Sequence, residues 1–161
     1  MSVDRIANAR LRDRVVSAEA AAALIQPGET VAMSGFTGSG YPKAVPVELA
    51  RRIEAVHAQG QPFQIKLMTG ASTAPELDGA LAKADGIAMR MPFQSDPDAR
   101  NRINEGKLDY IDIHLSHVAQ HVWFGFYGEI DTAVIEVSAI REDGSLVPST
   151  SVCLLYTSDA A

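Results

Sequence analysis

The sequence lacks several features that would assign it to a functional class at once. It has a single cysteine, Cys153, so no disulfide can form within the chain. No apolar run approaches the roughly 20 residues that a membrane-spanning helix needs, and Met1 to Arg14 contains no apolar core of signal-peptide length. The net charge of −6 at pH 7 comes with no concentrated basic patch. These absences predict a soluble, cytoplasmic protein with no nucleic-acid or membrane partner.

The composition is that of an ordinary globular protein, with 47% hydrophobic and 21% charged residues in 161. We expect one compact domain over residues 1–152. The last nine residues, 153–161, neither close one secondary-structure element nor open another, and they resemble a translated sequencing-adapter tail. We therefore expect residues 153–161 to be a foreign tail on a chain truncated near Val152, with a natural short terminus as the alternative.

Strand and helix patterns alternate along the chain. The apolar run Thr30 to Met33 and the alternation in Phe63 to Met68 predict strands, and each is followed by a small-residue loop and a helix. Further strands are predicted at 86–89, 109–113 and 132–137, the last as a central strand, and helices at 5–16, from Ser17, from Val45, from Pro75 and at 98–105. The pattern predicts an α/β fold: a mostly parallel sheet with flanking helices and ligand-binding loops at the carboxyl ends of its strands.

The glycine-containing segment Ser34 to Pro42 is the strongest ligand-loop candidate. Its Gly35, Gly38 and Gly40 allow tight backbone turns in which N–H groups can converge on a ligand. The spacing differs from the Gly-x-Gly-x-x-Gly of dinucleotide-binding loops, and no Lys-Ser/Thr closes it as a phosphate-binding P-loop. A ligand loop is favoured, and a tight crossover without a ligand is the alternative.

Three histidines, His114, His117 and His121, are spaced so that a helix would place them on one face, as a metal site requires. No cysteine lies nearby and the neighbouring carboxylates have no ligand spacing, so we expect no metal. Instead His114 is expected to make a hydrogen bond that orients a loop, while His117 and His121 line a partly solvated helical face.

Two serines, Ser72 and Ser95, lie in predicted loops after strands, where a hydroxyl can donate a hydrogen bond to a carboxylate or carbonyl oxygen. The alternative for each is a serine that bonds its own turn. No Ser-His-Asp or Cys-His order is present, so the residues alone indicate no catalytic nucleophile.

Six motifs together carry a resemblance to a known family. In chain order they are Ser34 to Pro46, Thr69 to Thr73, Leu77 to Gly79, Arg100 to Asn104, His114 to Ser116 and Glu142 to Pro148. In this order and spacing they resemble the N-terminal domain of the acetyl-CoA hydrolase/transferase family, the class I CoA-transferases that act on acetate, propionate and succinate. The resemblance runs from about residue 4 to residue 152.

The resemblance implies a pair of related α/β domains with the active site between them. In that family a glutamate of the C-terminal domain attacks the acyl-CoA and passes through an acyl anhydride to a glutamyl-CoA thioester. This implies no catalytic residue on the present chain, coenzyme A as a co-substrate with no other cofactor, small carboxylates as partners, and a homodimer at full length. The chain alone is then expected to be inactive. Thioester hydrolysis, a non-catalytic binding domain and a sugar-phosphate isomerase relative are the alternatives.

The resemblance also implies roles for particular residues. Ser72 and Ser95 match positions near the small-carboxylate end of the site, where hydroxyls would position a substrate such as acetate. The active-site loops would be formed by residues that pack beside the reacting thioester: Gly35, Phe36, Gly38, Gly40, Gly70 and Ala71. His117 and His121 fall outside the family motif.

Overall fold

The computed structural model describes residues 3–72 and 74–150, so the predicted tail at 153–161 lies outside the described residues. Within those ranges the strands are β1 (Thr30–Met33), β2 (Ile65–Met68), β3 (Ile87–Met91), β4 (Asp109–Tyr110), β5 (Thr132–Val134), β6 (Val137–Ile140) and β7 (Leu146–Pro148). The helices are α1 (Ala9–Arg12), α2 (Ala18–Ala22), α3 (Val45–His57), α4 (Ala80–Lys83), α5 (Pro97–Asn104) and α6 (Leu115–Trp123). A 3₁₀ turn at Val3–Arg5 precedes α1, and a π-helical turn at Pro75–Gly79 precedes α4.

The main sheet has the order β4-β3-β2-β1-β5, and every pairing in it is parallel. Helices connect the successive parallel strands, as crossover connections require. This confirms the predicted α/β fold with a mostly parallel sheet. The strands β6 and β7 form a separate antiparallel hairpin, whose turn is closed by the Asp143 carboxylate accepting from the Ser145 N–H at 2.9 Å.

Two sequence predictions about the ends of the chain were wrong. The run Thr132 to Val137 is not one central strand: β5 is the edge strand of the described sheet and ends at Val134, because Glu136 turns away and its N–H donates to Ser34 Oγ. The predicted helix over residues 5–16 is only the short α1. There the Ala7 N–H donates to Ile140 O at 2.8 Å, so tertiary pairing with β6 replaces helical hydrogen bonding.

Two apolar clusters hold the layers together, one on each face of the sheet. Alternate residues of β1 and β2 point to opposite faces, so Val31 and Leu67 join the larger cluster while Met68 joins the smaller. The larger cluster is covered by α2, α3, α4 and α5, and Leu49 and Ile53 of α3 are completely buried in it. The smaller cluster is covered by α6 through Val118. This packing leaves the carboxyl ends of the strands free to carry loops.

Among the residues described, no helix combines the length and the apolar character that crossing a bilayer requires.

Candidate active site

Three loops meet at the carboxyl ends of β1, β2 and β3, which are neighbours in the sheet. The loop after β1 joins the second through the Thr37 N–H, which donates to Ala71 O. The second joins the third through two bonds of 3.2 Å, from the Ser72 N–H to Phe93 O and from the Ser95 N–H to Ser72 O. Main-chain hydrogen bonding therefore continues past the ends of the strands, and the three loops form one surface where ligands bind in such sheets.

The glycine loop is a closed turn anchored at its base. Ser34 Oγ donates to Gly40 O at 2.7 Å and accepts from the Glu136 N–H at 2.9 Å. Gly35 has φ +137°, and a Cβ there would lie 2.8 Å from Tyr41 Cβ. Because only glycine fits such a backbone at so close an approach, Gly35 is required by the turn itself.

The tip of the same loop faces solvent. Phe36 and Gly38 are exposed, and a Cβ on Gly38 would meet nothing within 4 Å. Thr37 holds a left-handed conformation, with φ 52°, although it is not glycine. On the third loop Phe93 is 45% exposed, close to the 44% of Phe36. The loop surface thus combines exposed backbone with two accessible phenyl rings.

An ion pair between Lys43 and Glu136 stabilises the end of the loop after β1. Lys43 Nζ lies 2.7 Å from Glu136 Oε2 and also donates to Tyr41 O at 3.0 Å. Burial alone would raise the pKa of Glu136, but hydrogen bonds from Lys43 and Ser149 and the Lys43 charge leave it below its ordinary value. The positive charge of Lys43 is therefore paired with the Glu136 carboxylate of the same domain.

Tyr41 adds to this stabilisation. Its hydroxyl donates to Glu76 Oε2 at 2.7 Å, and this hydrogen bond is the main reason that the pKa of Tyr41 rises to about 12. The same bond lowers the pKa of Glu76. Tyr41 thus ties the glycine loop to the π-helical turn after the second loop.

The two predicted serines are adjacent through their backbones but differ in exposure. Ser72 is 1% exposed, and its hydroxyl donates to the carboxylate of Asp78. Ser95 is exposed, and its hydroxyl makes no hydrogen bond to another described residue. Gly70 and Ala71 are buried beside Ser72. Of the two hydroxyls, that of Ser95 is the one open to a ligand from solvent.

A buried ion pair that the sequence patterns did not identify lies next to Ser72. Arg90 Nε donates to Asp78 Oδ1 at 2.8 Å, and both side chains are 0% exposed. The Arg90 guanidinium also donates to Thr69 Oγ1 at 2.6 Å, to Phe93 O at 3.3 Å and to Met91 O. The one feature of the sequence that could have indicated this pair is Arg90 itself, the single charged residue in the otherwise apolar strand β3.

The third loop leads directly into α5. Asp96 caps this helix, accepting from the Asp98 N–H at 2.9 Å and the Ala99 N–H at 3.1 Å. Burial raises the pKa of Asp96 above its ordinary value, and the nearby Asp78 charge adds to this rise. The neighbouring Gln94 is buried, and its Oε1 has no hydrogen-bond partner in the part of the chain described.

His117 and His121 lie on α6, and His114 is the residue just before it. His114 precedes the helix, where its Nδ1 accepts from the Ser116 N–H at 3.3 Å and lies 2.7 Å from Ser116 Oγ. The rings of His117 and His121 stack with centroids 6.0 Å apart. Over residues 3–72 and 74–150, no three His, Cys, Asp or Glu side chains gather as metal ligands do. His114 therefore makes a local capping bond.

Comparison with known proteins places this sequence in a family. The chain is 44% identical over 148 residues to a succinyl-CoA:acetate CoA-transferase from Clostridium kluyveri, covering 92% of the chain and 27% of that relative. It is 46% identical over 129 residues to a propanoyl-CoA:succinate CoA transferase from Escherichia coli, covering 80% of the chain and 26% of that relative. An acetyl-CoA hydrolase from Schizosaccharomyces pombe is 38% identical over 155 residues, covering 92% of the chain and 30% of that relative.

The chain therefore spans between a quarter and a third of the length of these relatives. Residues 2–158 match the family model of the acetyl-CoA hydrolase/transferase N-terminal domain. With nearly the whole chain matched, the protein belongs to the acetyl-CoA hydrolase/transferase family and carries its N-terminal domain.

Proposed function

We propose that this chain is the N-terminal part of an acyl-CoA:carboxylate CoA-transferase that exchanges coenzyme A between small acids such as acetate, propionate and succinate. The observation that carries the proposal is the joining of the three loops into one surface at the carboxyl ends of β1, β2 and β3. The names of the two bacterial relatives supply the reaction class.

In the proposed reaction a glutamate from the part of the protein beyond this chain attacks the acyl-CoA carbonyl and expels CoA thiolate. The resulting acyl-glutamyl anhydride is attacked by the thiolate at the glutamyl carbonyl, which releases the first carboxylate and leaves a glutamyl-CoA thioester. The second carboxylate attacks this thioester, expels the thiolate and forms a new acyl-glutamyl anhydride. The thiolate then attacks the acyl carbonyl of this anhydride, which gives the new acyl-CoA and releases the glutamate. Each step replaces one acyl bond by another, so the thioester energy is retained.

Within this scheme the described residues form one wall of the cleft. Ser95 has the accessible hydroxyl and is proposed to donate a hydrogen bond to a carboxylate oxygen of the small acid. Ser72 is proposed to support the same end of the site by holding the Ser95 N–H on its own carbonyl. Gly35 to Gly40, with Gly70 and Ala71, would line the side of the reacting thioester. No residue of this chain is proposed as the nucleophile.

The fungal relative named acetyl-CoA hydrolase favours a second candidate, in which water resolves the intermediate. The two candidates differ in their products. Transfer yields a new acyl-CoA in proportion to the added carboxylate, while hydrolysis yields free CoA whether or not a second acid is present. Chromatography of the CoA esters with and without acetate separates them.

The test uses the full-length protein that contains this sequence, with Ser95→Ala as the variant and Ser95→Thr as the control that keeps a hydroxyl. Ser95→Ala should raise the KM for the carboxylate by about tenfold, the size of one lost hydrogen bond, with the KM for the acyl-CoA unchanged. Ser95→Thr should stay close to the parent protein. Equal changes in both KM values would remove Ser95 from the carboxylate end.

A second measurement concerns the chain by itself. The purified 161-residue chain should show no CoA transfer, because the proposed nucleophile is elsewhere. Measurable transfer by the chain alone would contradict this part of the proposal. The cytoplasmic location and the homodimer expected from the sequence remain predictions.

A further inference from the structure

Each guanidinium nitrogen of Arg90 donates a hydrogen bond within the domain. Arg90 is completely buried on β3, and its guanidinium reaches the carboxylate of Asp78, the hydroxyl of Thr69 and the carbonyls of Met91 and Phe93. These partners lie in the second loop, in the π-helical turn, at the end of β3 and in the third loop. One side chain therefore connects the segments that carry Ser72 and Ser95.

Asp78 completes the connection from the other side. Its Oδ1 accepts from Arg90 Nε at 2.8 Å, and its Oδ2 accepts from Ser72 Oγ. Both carboxylate oxygens are thus occupied, and the side chain is removed from solvent. A chain of hydrogen bonds runs from β3 through Asp78 to Ser72, and from the Ser72 carbonyl to the Ser95 N–H.

A buried ion pair is a poor device for stability alone. Removing two charges from water costs several kcal/mol, and well-packed apolar residues often serve a fold as well or better. The planar guanidinium offers something apolar residues lack, namely several donors in a fixed arrangement. That arrangement suits a group that must set the spacing between two loops.

We infer that Asp78 and Arg90 are positioning residues for the small-carboxylate end of the site, holding the second and third loops at the separation that places the Ser95 hydroxyl. This inference rests on the proposed function for the identity of the substrate. The coupling between the two loops does not depend on it. Neither side chain contacts the substrate, because both are buried.

The experiment compares Arg90→Lys with Arg102→Lys in the full-length protein. Arg102 is the matched control, since it is ion-paired with Asp85 at the opposite, amino end of β3. Lysine keeps the charge but loses the fork of donors. Arg90→Lys should raise the KM for the carboxylate by about tenfold while the KM for the acyl-CoA stays unchanged, whereas Arg102→Lys should alter neither.

Hydrogen exchange measured by mass spectrometry gives a readout that needs no activity. Peptides covering 69–79 and 90–96 should both exchange faster in Arg90→Lys, because the Ser72 and Ser95 N–H bonds join these segments. Lowered stability with unchanged KM values and unchanged exchange in both peptides would reduce the pair to a structural role and overturn the inference.

A milder variant covers the case in which Arg90→Lys does not fold. Thr69→Val removes one acceptor of the guanidinium and keeps the shape of the side chain, and Thr69→Ser restores the hydroxyl. In Thr69→Val, a raised KM for the carboxylate with an unchanged KM for the acyl-CoA, together with faster exchange in both peptides, supports the inference if Thr69→Ser restores the parent values. If these changes are absent, the inference is overturned. If the parent protein transfers no CoA but the variants still loosen both peptides together, the proposed function fails while the coupling of the loops stands.

Discussion

Replacing Gly35 by alanine tests whether the glycine loop is a strained turn, as its geometry indicates. Two costs act at this position. A side chain at φ +137° lies in a region that residues with a Cβ rarely adopt, at about 1–3 kcal/mol. The new Cβ would also lie 2.8 Å from Tyr41 Cβ and 3.3 Å from Tyr41 Cα, a crowding that costs about 1–3 kcal/mol in a packed interior.

Two other glycines separate these costs. Gly28 has φ +87° with nothing within 4 Å of an added Cβ, so Gly28→Ala should carry the backbone strain alone. Gly38 has neither a left-handed φ nor a neighbour within 4 Å, so Gly38→Ala should be neutral or gain a few tenths of a kcal/mol from the unfolded state. We therefore expect losses of about 3 kcal/mol for Gly35→Ala and about 1 kcal/mol for Gly28→Ala.

Urea unfolding of the 161-residue chain measures these differences, with the denaturation midpoint compared at a common slope. A loss of about 3 kcal/mol is a large share of the roughly 5–15 kcal/mol that holds a typical domain together, so the midpoint shift should be plain. If Gly35→Ala and Gly38→Ala unfold at the same midpoint, the loop carries neither the backbone strain nor the close contact with Tyr41.

Two further predictions concern ionisable groups near the loops. Because the bond to Glu76 raises the pKa of Tyr41 to about 12, its contribution to stability should be complete below about pH 10 and lost as the pH rises through about 12. Ultraviolet titration of phenolate should show a tyrosine titrating near pH 12 that disappears in Tyr41→Phe and titrates earlier in Glu76→Ala; an unchanged titration in Glu76→Ala would disprove the bond's role. Burial raises the pKa of Asp96, so the charged carboxylate destabilises the parent protein more at pH 7 than at pH 4. Asp96→Asn keeps the cap of α5 without the charge, so its stability relative to the parent should be higher at pH 7 than at pH 4. Asp96→Ala removes the cap and should lose about 1 kcal/mol. Thermal unfolding at the two pH values checks this, and an asparagine variant as unstable as the alanine variant would contradict it.

Local patterns predicted the elements that dominate the fold. The run Thr30 to Met33 is β1 as predicted. The helix predicted from Ser17 is α2, and the Ser17 hydroxyl caps it. The helix predicted from Val45 is α3, and its Leu49 and Ile53 lie in the core. These predictions succeeded because the periodicity of a strand or helix is written in consecutive residues.

The failures arose where distant residues decide the structure. The Arg90–Asp78 pair joins positions twelve apart through a turn whose shape no local pattern specifies. The acceptor of the Ser72 hydroxyl, Asp78, was missed because nothing in the residues next to Ser72 indicated it, while the role of Ser72 near the substrate stays a prediction. Likewise α1 is short because β6, far along the chain, bonds to Ala7. Helix propensity is overridden where a hydrogen bond from a distant strand gives the backbone another partner.

The anchoring of the glycine loop by β5 has a consequence for the order in which the site is built. The Ser34 N–H donates to Val134 O, and Ser34 Oγ accepts from the N–H of Glu136, which lies 102 positions further along the sequence. On the ribosome β1 to β4 emerge first and can pair with one another, whereas β5 must close a much longer loop onto β1. The glycine loop precedes the other two in the chain, yet we expect it to reach its final shape last during synthesis.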